Sequence, residues 1–378
     1  MGFYASTPAF SIPPGAVRVF FPTYLVGAEA RVSHNRLVRG LRDELLSRLR
    51  ENGVANRVPI EGDSAGEGMR VRAGARLHLG FLDLNGELGR RFGSLGLAIE
   101  GFETCVEIRR AARLSVRGAE AERVAALLRR LAEALRLPAD VDAEVAAAIP
   151  AHAGLGSGTQ LALALARAFR AAHGLAPDTL ADAEILMRGA RSGLGVALFE
   201  RGGFMLDAGR GPATALPPIL SHLPFPRDWR AVLLLDPEAV GAHGEKERAA
   251  FATLPGFPAA AAAEICRRAL MQVLPGVAEA DFVAFGEGLG AIQRRLGDHF
   301  APAQGGGRFT SPRVGEVAAE LERAGALGVG QSSWGPTGFA FARDPDEAEF
   351  LAARARKAGR GVEVRICAAR AGGAVCEE

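Results

Sequence analysis

The sequence predicts an α+β protein of two domains, and three observations carry that expectation. Its 378 residues, 48% of them hydrophobic, are enough for two medium-sized cores. Strand-length and helix-length patterns follow one another without strict βαβ alternation, which sets the chain apart from doubly wound sheets. Two glycine-rich loops, one in each half, break the pattern around Gly154–Gly158 and Gly328–Gly338. No repeat of fixed period is visible.

Met69-Arg-Val-Arg-Ala-Gly-Ala-Arg76-Leu-His78-Leu-Gly-Phe-Leu-Asp83 alternates apolar and polar residues and runs into Asn85-Gly86, a strand ending in a turn signal. Strands are expected next at Ser94–Glu100, Cys105–Arg110 and Val141–Ala147, with a helix over Ala119–Arg136 between the last two. The run Leu161–Phe169 forms an apolar helix, a second helix covers Thr179–Arg188, and Gly203–Asp207 reads as a strand. The second half opens with a strand at Arg230–Asp236 and continues through helices at Ala259–Leu274, Ala280–Leu296 and Val314–Ala324. It closes with a strand, a helix and a strand between Gly338 and Cys367.

Residues 1–68 differ from the rest. They hold both tyrosines, Tyr4 and Tyr24, together with Pro13-Pro14 and Phe20-Phe21, and end in a polar, glycine-rich run. A misassigned start, a disordered arm and a small helical appendage around residues 36–52 would each account for this extension. The expected domains are therefore 69–225 and 226–378. A secretory signal is not expected, because no charged segment is followed by a continuous apolar one.

The balance of 45 basic and 43 acidic residues gives +2, which argues against a nucleic-acid surface and makes any cationic site local. Cys105, Cys266, Cys367 and Cys376 lie far apart without a Cys-x-x-Cys pair, as suits reduced thiols in a cytoplasmic protein, and imply no structural zinc. Apolar runs such as Ala231–Asp236 are strand-sized, so no membrane span is expected. Arginine is abundant and lysine occurs only at Lys246 and Lys357, which suggests a GC-rich genome and leaves single surface arginines uninformative.

The segment from Pro150 to Gln160 carries Gly154, Gly156 and Gly158 directly into the helix of Leu161–Phe169. Backbone N–H groups freed by glycine, the hydroxyls of Ser157 and Thr159 and the positive helix end all favour a phosphate or diphosphate. An ordinary loop before a core helix would look similar in a chain with 48 glycines. No Gly-Lys-Ser/Thr follows, so this is not a Walker loop, and the Rossmann acidic residue is missing. The second loop carries Gln331-Ser332-Ser333-Trp334-Gly335-Pro336-Thr337, and two such loops, one per domain, place a site at their junction.

Other candidates admit two readings each. Arg76 and His78 share a strand face while Asp83 falls on the opposite parity unless the strand bends; an amphipathic edge strand explains the first two equally well. His152 is either a ligand of the anion or a plain loop residue. His243-Gly-Glu245-Lys246-Glu247 gathers a base, two carboxylates and a scarce lysine, and a solvated helix start would do the same.

The pairing of Pro150-x-x-x-Gly154-Leu-Gly156-Ser157-Gly158 with the late Gly-x-Gly-x-Ser loop resembles the GHMP kinase superfamily. The segments Arg76–Gly86, Arg191–Asp207, His243–Glu247 and Leu270–Pro275 resemble, within it, the β-ribofuranosylaminobenzene 5′-phosphate synthase family. That resemblance implies an N-terminal domain like ribosomal protein S5 and a C-terminal ferredoxin-like α/β sandwich. It implies a decarboxylating C-glycosyltransferase that joins phosphoribosyl diphosphate to 4-aminobenzoate or 4-hydroxybenzoate, with Mg²⁺, in methanopterin biosynthesis, and a homodimer. The catalytic candidates are then Asp83, His243, Glu245 and Lys246. The substrate-binding candidates are Arg76, His78, His152, Gly154, Gly156, Ser157, Gly158, Thr159, Gln160, Arg191, Ser192, Ser332 and Ser333. Many GHMP kinases carry an aspartate seven residues before the first glycine of the Gly202-Gly203 pair; here that position is Gly195, so a phosphoryl transfer loses its usual nucleophile-orienting group. Two further readings are an ATP-dependent kinase of the same superfamily, which nucleotide turnover would reveal, and a non-catalytic binding protein, against which the dense His243–Glu247 motif speaks.

Overall fold

The computed structural model describes residues 68–241 and 244–377, without the side chains of Lys246 and Arg248. The chain divides by its contacts into Met1–Ser64 and Ala65–Glu378, and the described residues belong to the second unit. The expectations for residues 1–67, and His243, lie outside the described residues.

Strand β1 (Met69–Asp83) pairs antiparallel with β2 (Phe92–Arg110) and with β11 (Val375–Glu377). The first sheet runs β11-β1-β2-β4-β3, with β3 at Ser115–Gly118 and β4 at Val141–Ala147. The upper part of β2 also pairs with β5 (Phe204–Asp207), which carries β6 (Ile219–Leu223). The two strands expected at Ser94–Glu100 and Cys105–Arg110 are one long strand. Gly101 at φ +85° accommodates an irregularity in which Gly74 faces Glu103 but Ala75 faces Ile99. On the two sides of this break β1 feeds different cores. Val71 and Ala73 pack with helices α1 (Ala121–Leu135) and α2 (Ser157–Ala172), whereas Ala75, Leu77 and Leu79 pack towards the second sheet.

The second sheet is antiparallel in the order β10-β7-β9-β8, from Glu363–Ala368, Arg230–Leu235, Gly338–Ala342 and Leu327–Gln331. The two-residue period of its strands divides two cores. Ala231, Leu233, Phe339 and Phe341 join Phe225, Trp229, Phe285 and the upper part of β1. Val232, Leu234, Ala340 and Ala342 meet two amphipathic helices, Pro312–Arg323 and Pro345–Ala358. Both helices start as their sequences dictate, with Ser311 and Asp344 as N-caps and proline in the first turn. Burying each large aromatic of this core contributes about 1.5–3 kcal/mol.

The helix expected over Ala259–Leu274 is α-helical only through Arg268 and continues as a π turn, Ala269–Val273. Pro275 supplies the reason: it offers no N–H to the carbonyl four residues back and crowds it, so the turn before it widens. Strands Ser115–Gly118, Ile219–Leu223 and Val375–Glu377 were not expected, being short pieces whose pattern only sheet pairing completes. Among the described residues no helix is long and apolar enough to cross a membrane.

Candidate functional site

The two glycine-rich loops meet on β1. The Arg76 N–H donates to Leu155 O at 3.0 Å, the His78 N–H to Ser332 Oγ at 3.0 Å, and the Ser333 N–H to His78 O at 3.2 Å. The Ser332 hydroxyl then donates to Gly154 O at 2.7 Å, tying loop to loop. Gly154 stands at φ +79°, and a Cβ there would lie 2.4 Å from Ser332 O, so only glycine permits this approach. Gly156, at φ +82°, precedes the first turn of α2 and faces the Arg76 side chain.

A cavity of about 800 Å³ opens in front of the first loop, bounded by Gly154, Gly156, Ser157, Gly158 and Thr159. Arg76, Arg123, Arg188 and Arg191 reach its walls, with His152 and the carboxylate of Glu247. Arg76 keeps some exposure to the cavity, yet its Nε and Nη1 are enclosed and unpartnered. Burial pushes its pKa down to about 10, against the pull of Glu247 and Asp207, so it stays cationic at neutral pH. Burial likewise lowers Arg188, helped by repulsion from Arg123 and Arg130, and its Nε is unpartnered too. A Cβ on Gly158 would come within 2.9 Å of Arg123 Nη2 and 3.8 Å of Arg188 Nη1, which places both guanidinium groups at the helix start. Arg123 pairs with Glu120, and Arg191 pairs with Glu247 at 2.5 Å while lying 5.5 Å over the Phe251 ring. Mutually repelling cations with unmet donors, beside a glycine-rich helix start, are relieved by an anion bearing several charges.

The other end of the cavity is aromatic, with Phe92, Phe251 and Trp334. Trp334 stands edge-on to Phe251 at 5.3 Å and touches Phe300 at 4.7 Å. Ser333 and Trp334 also border a narrower chamber of about 50 Å³, which His78 lines and whose other wall carries the half-exposed Arg294, Arg308 and Glu322. His78 packs on Phe81 at 4.5 Å, and neither ring nitrogen has a partner. Burial first, then the charges of Arg76 and Arg191, push its pKa down to about 3, so the ring is neutral.

Of the residues singled out in the sequence, Arg76, His152, Gly154, Gly156, Ser157, Gly158, Thr159, Arg191 and Ser333 come together on the large cavity, and His78 on the chamber beside it. Others are placed differently. Asp83 closes the β1–β2 turn, its Oδ1 accepting from Asn85 N–H at 2.7 Å and Gly86 N–H at 3.0 Å, and it does not line the cavity. Ser192 donates to Asp207 Oδ2 at 2.7 Å, and the buried Gln160 donates to Gly195 O at 3.0 Å, so both brace the site from outside. Ser332 is wholly buried as the clamp between the loops. Glu245 is exposed in the first turn of Gly244–Thr253, and it is Glu247, from the same motif, that reaches the cavity. Sequence reasoning passed over Arg123, Arg188, Phe92, Phe251 and Trp334. Trp334 had a signal in its glycine-rich loop, whereas the arginines had none in so arginine-rich a chain. The position of the kinase aspartate, Gly195, faces the anion loop: a Cβ there would lie 3.0 Å from Thr159 Cγ2.

This architecture is that of the GHMP kinases. The family model for the GHMP kinases N terminal domain matches residues 121–203, and that for the GHMP kinases C terminal domain matches residues 273–361. Homoserine kinase from Cytophaga hutchinsonii shares the fold at TM-score 0.60 and 20% identity, over 84% of this chain and 100% of its own. L. major mevalonate kinase does so at TM-score 0.62 and 13% identity, over 83% and 99%. The relatives in sequence are of one kind. The β-ribofuranosylphenol 5′-phosphate synthase of Archaeoglobus fulgidus is 33% identical over 337 residues, covering 79% of this chain and 100% of that one. The synthase of the same name from Methanothermobacter thermautotrophicus is 31% identical over 288 residues, covering 70% and 86%. The chain belongs to the β-ribofuranosylphenol 5′-phosphate synthase family.

Proposed function

We propose that this chain joins phosphoribosyl diphosphate to 4-hydroxybenzoate or 4-aminobenzoate as a decarboxylating C-glycosyltransferase of methanopterin biosynthesis. The products are the ribofuranosyl-phenol or -aminobenzene 5′-phosphate, CO2 and diphosphate. The observation that carries the reading is one cavity holding both a polycationic glycine-rich loop and an aromatic end. The ring carbon that bears the carboxylate attacks C1 of the ribose, and the C1–O bond breaks towards diphosphate. The carbon–carboxylate bond then breaks, its electron pair restores the aromatic ring, and no net proton is taken up or released. Backbone N–H groups at Gly156–Gly158 with Arg76, Arg123 and Arg188 hold the phosphoryl groups and oppose the charge that builds on the leaving diphosphate. Phe92, Phe251 and Trp334 flank the acceptor. His243, Glu245 and Lys246 stay in the proposal on their motif alone, as catalytic candidates.

Among the described residues no group of three or more His, Cys, Asp or Glu could hold a metal ion. Mg²⁺ is commonly held by one or two carboxylates and substrate phosphates, and Glu247 on the wall of the anion cavity would serve by exchanging its Arg191 pairing for the metal. When bound there, Mg²⁺ would neutralise diphosphate charge.

Purified full-length protein given phosphoribosyl diphosphate, Mg²⁺ and either benzoate should release CO2 and form the ribosylated product by mass spectrometry. ATP should give no turnover, since Gly195 leaves no carboxylate to orient an acceptor hydroxyl. ATP consumption coupled to a phosphorylated acceptor would overturn the reading.

A further inference from the structure

The relatives' chemistry leaves open how this chain distinguishes one para-substituted benzoate from another. We propose that the chamber bordered by Trp334 seats the para substituent of the acceptor. The His78 imidazole accepts a hydrogen bond from it and the Trp334 indole N–H donates one to it, so that a para hydroxyl is selected over a para amino group. The inference rests on the function proposed above and deepens it.

Three observations converge on this chamber. First, His78 and Trp334 are each only 4% exposed, and both His78 ring nitrogens and the Trp334 Nε1 are unpartnered. Buried polar groups are nearly always paired, and here two unpaired ones line the same small space. Second, their chemistry is complementary. A neutral imidazole offers one acceptor nitrogen and an indole only a donor. A phenolic hydroxyl donates and accepts, so it meets both. An aromatic amine donates, but its lone pair is drawn into the ring and accepts poorly, so the indole N–H stays unmet. Third, the chamber is in line with the anion site. Arg76 and His78 share a face of β1 two residues apart, a rise of roughly 6.6 Å. That is about the length from a para substituent to the carboxylate across a benzene ring. A ring lying along β1 with its hydroxyl at His78 therefore points its carboxylate-bearing carbon at Arg76 and the anion loop, where ribose C1 must lie. At about 50 Å³ the chamber has room for the substituent and not for the ring, which stays in the aromatic end of the large cavity.

Calorimetry on the full-length protein with inorganic diphosphate present, titrating 4-hydroxybenzoate, 4-aminobenzoate and benzoate, tests the assignment. In wild type the hydroxy compound should bind roughly tenfold or more tightly than the amino compound, the usual cost of an unmet buried donor. Trp334→Phe keeps the ring contacts and should bring the hydroxy compound down to the level of the amino compound, with diphosphate affinity unchanged. His78→Phe keeps the packing on Phe81 and should bring the amino compound down to the level of benzoate, while the hydroxy compound weakens but keeps the hydrogen bond from the indole. Equal binding of the three acid ligands in wild type would overturn the proposal. So would an equal loss for all three in Trp334→Phe, as a merely space-filling tryptophan would give. Turnover with phosphoribosyl diphosphate separates this from the reaction itself. Substituent-selective binding without any product upholds the chamber and removes the synthase reading, whereas equal kcat/KM for the two para-substituted acids keeps the synthase and overturns the chamber.

Discussion

A histidine in water protonates near pH 6.5, but in the folded protein His78 would do so only at about 3, because burial and the nearby Arg76 and Arg191 oppose a further positive charge. Between these values the unfolded chain binds a proton that the folded one refuses, so stability is full above about pH 6.5 and falls as the pH drops towards 3. The slope is about 1.4 kcal/mol per pH unit, or about 2 kcal/mol on going from pH 6.5 to 5. His78→Phe removes the group while keeping an aromatic against Phe81. The loss of melting temperature between pH 7 and pH 5 should therefore be a few degrees smaller in the variant than in wild type. Identical losses in both would show that His78 does not refuse the proton. His78 and Arg76 were legible as a shared strand face from the period of two alone. Arg123 and Arg188 were not, since their meaning comes from converging on Gly158, from residues far apart in sequence, and arginine is everywhere in this chain.

At the scale of elements, the anion loop depends on a backbone that few residues can adopt. Gly156 has φ +82°, and a Cβ on it would lie 2.7 Å from Arg76 Cγ and 3.1 Å from Arg76 Nε. Gly156→Val adds a β-branched side chain in the left-handed region, at about 1–2 kcal/mol or more, and displaces the guanidinium that faces the cavity. Helix α2 should persist, because its apolar run is buried on every side, so the circular dichroism of the variant should match wild type. Its affinity for phosphoribosyl diphosphate should fall at least about tenfold, the loss of one charge-assisted contact. Unchanged affinity by calorimetry would remove the loop from the anion site. The loop itself could be read from spacing, because glycine, hydroxyl and helix start carry their physics locally. Its closure against the second loop could be anticipated only as a junction. The Ser332 clamp that makes it joins residues 178 positions apart. Asp83 shows the converse: a carboxylate in a conspicuous motif is spent on the backbone N–H groups of its own turn.

For the whole molecule, the α+β class was legible because strand and helix periods differ, and strand β4 falls on the span its alternation predicts, Val141–Ala147. What was not legible was pairing across long separations: β2 serves β1, β4 and β5 along one uninterrupted strand, which its own sequence reads as two. The same long-range logic bears on where the working unit begins. Strand β1 starts at Met69, opposite Ile108, and Arg70 pairs with Glu377 near the other end of the described chain, so the first sheet joins the two ends of the described unit from that residue onwards. The contact division falls just before, between Ser64 and Ala65, and the Archaeoglobus synthase is matched along its whole length by 79% of this chain. A chain beginning at Met69 should therefore melt cooperatively at the temperature of the full protein and keep its kcat/KM with phosphoribosyl diphosphate and the benzoate. Loss of solubility, or of most of the activity with folding intact, would show instead that residues 1–68 take part in the core or in the reaction.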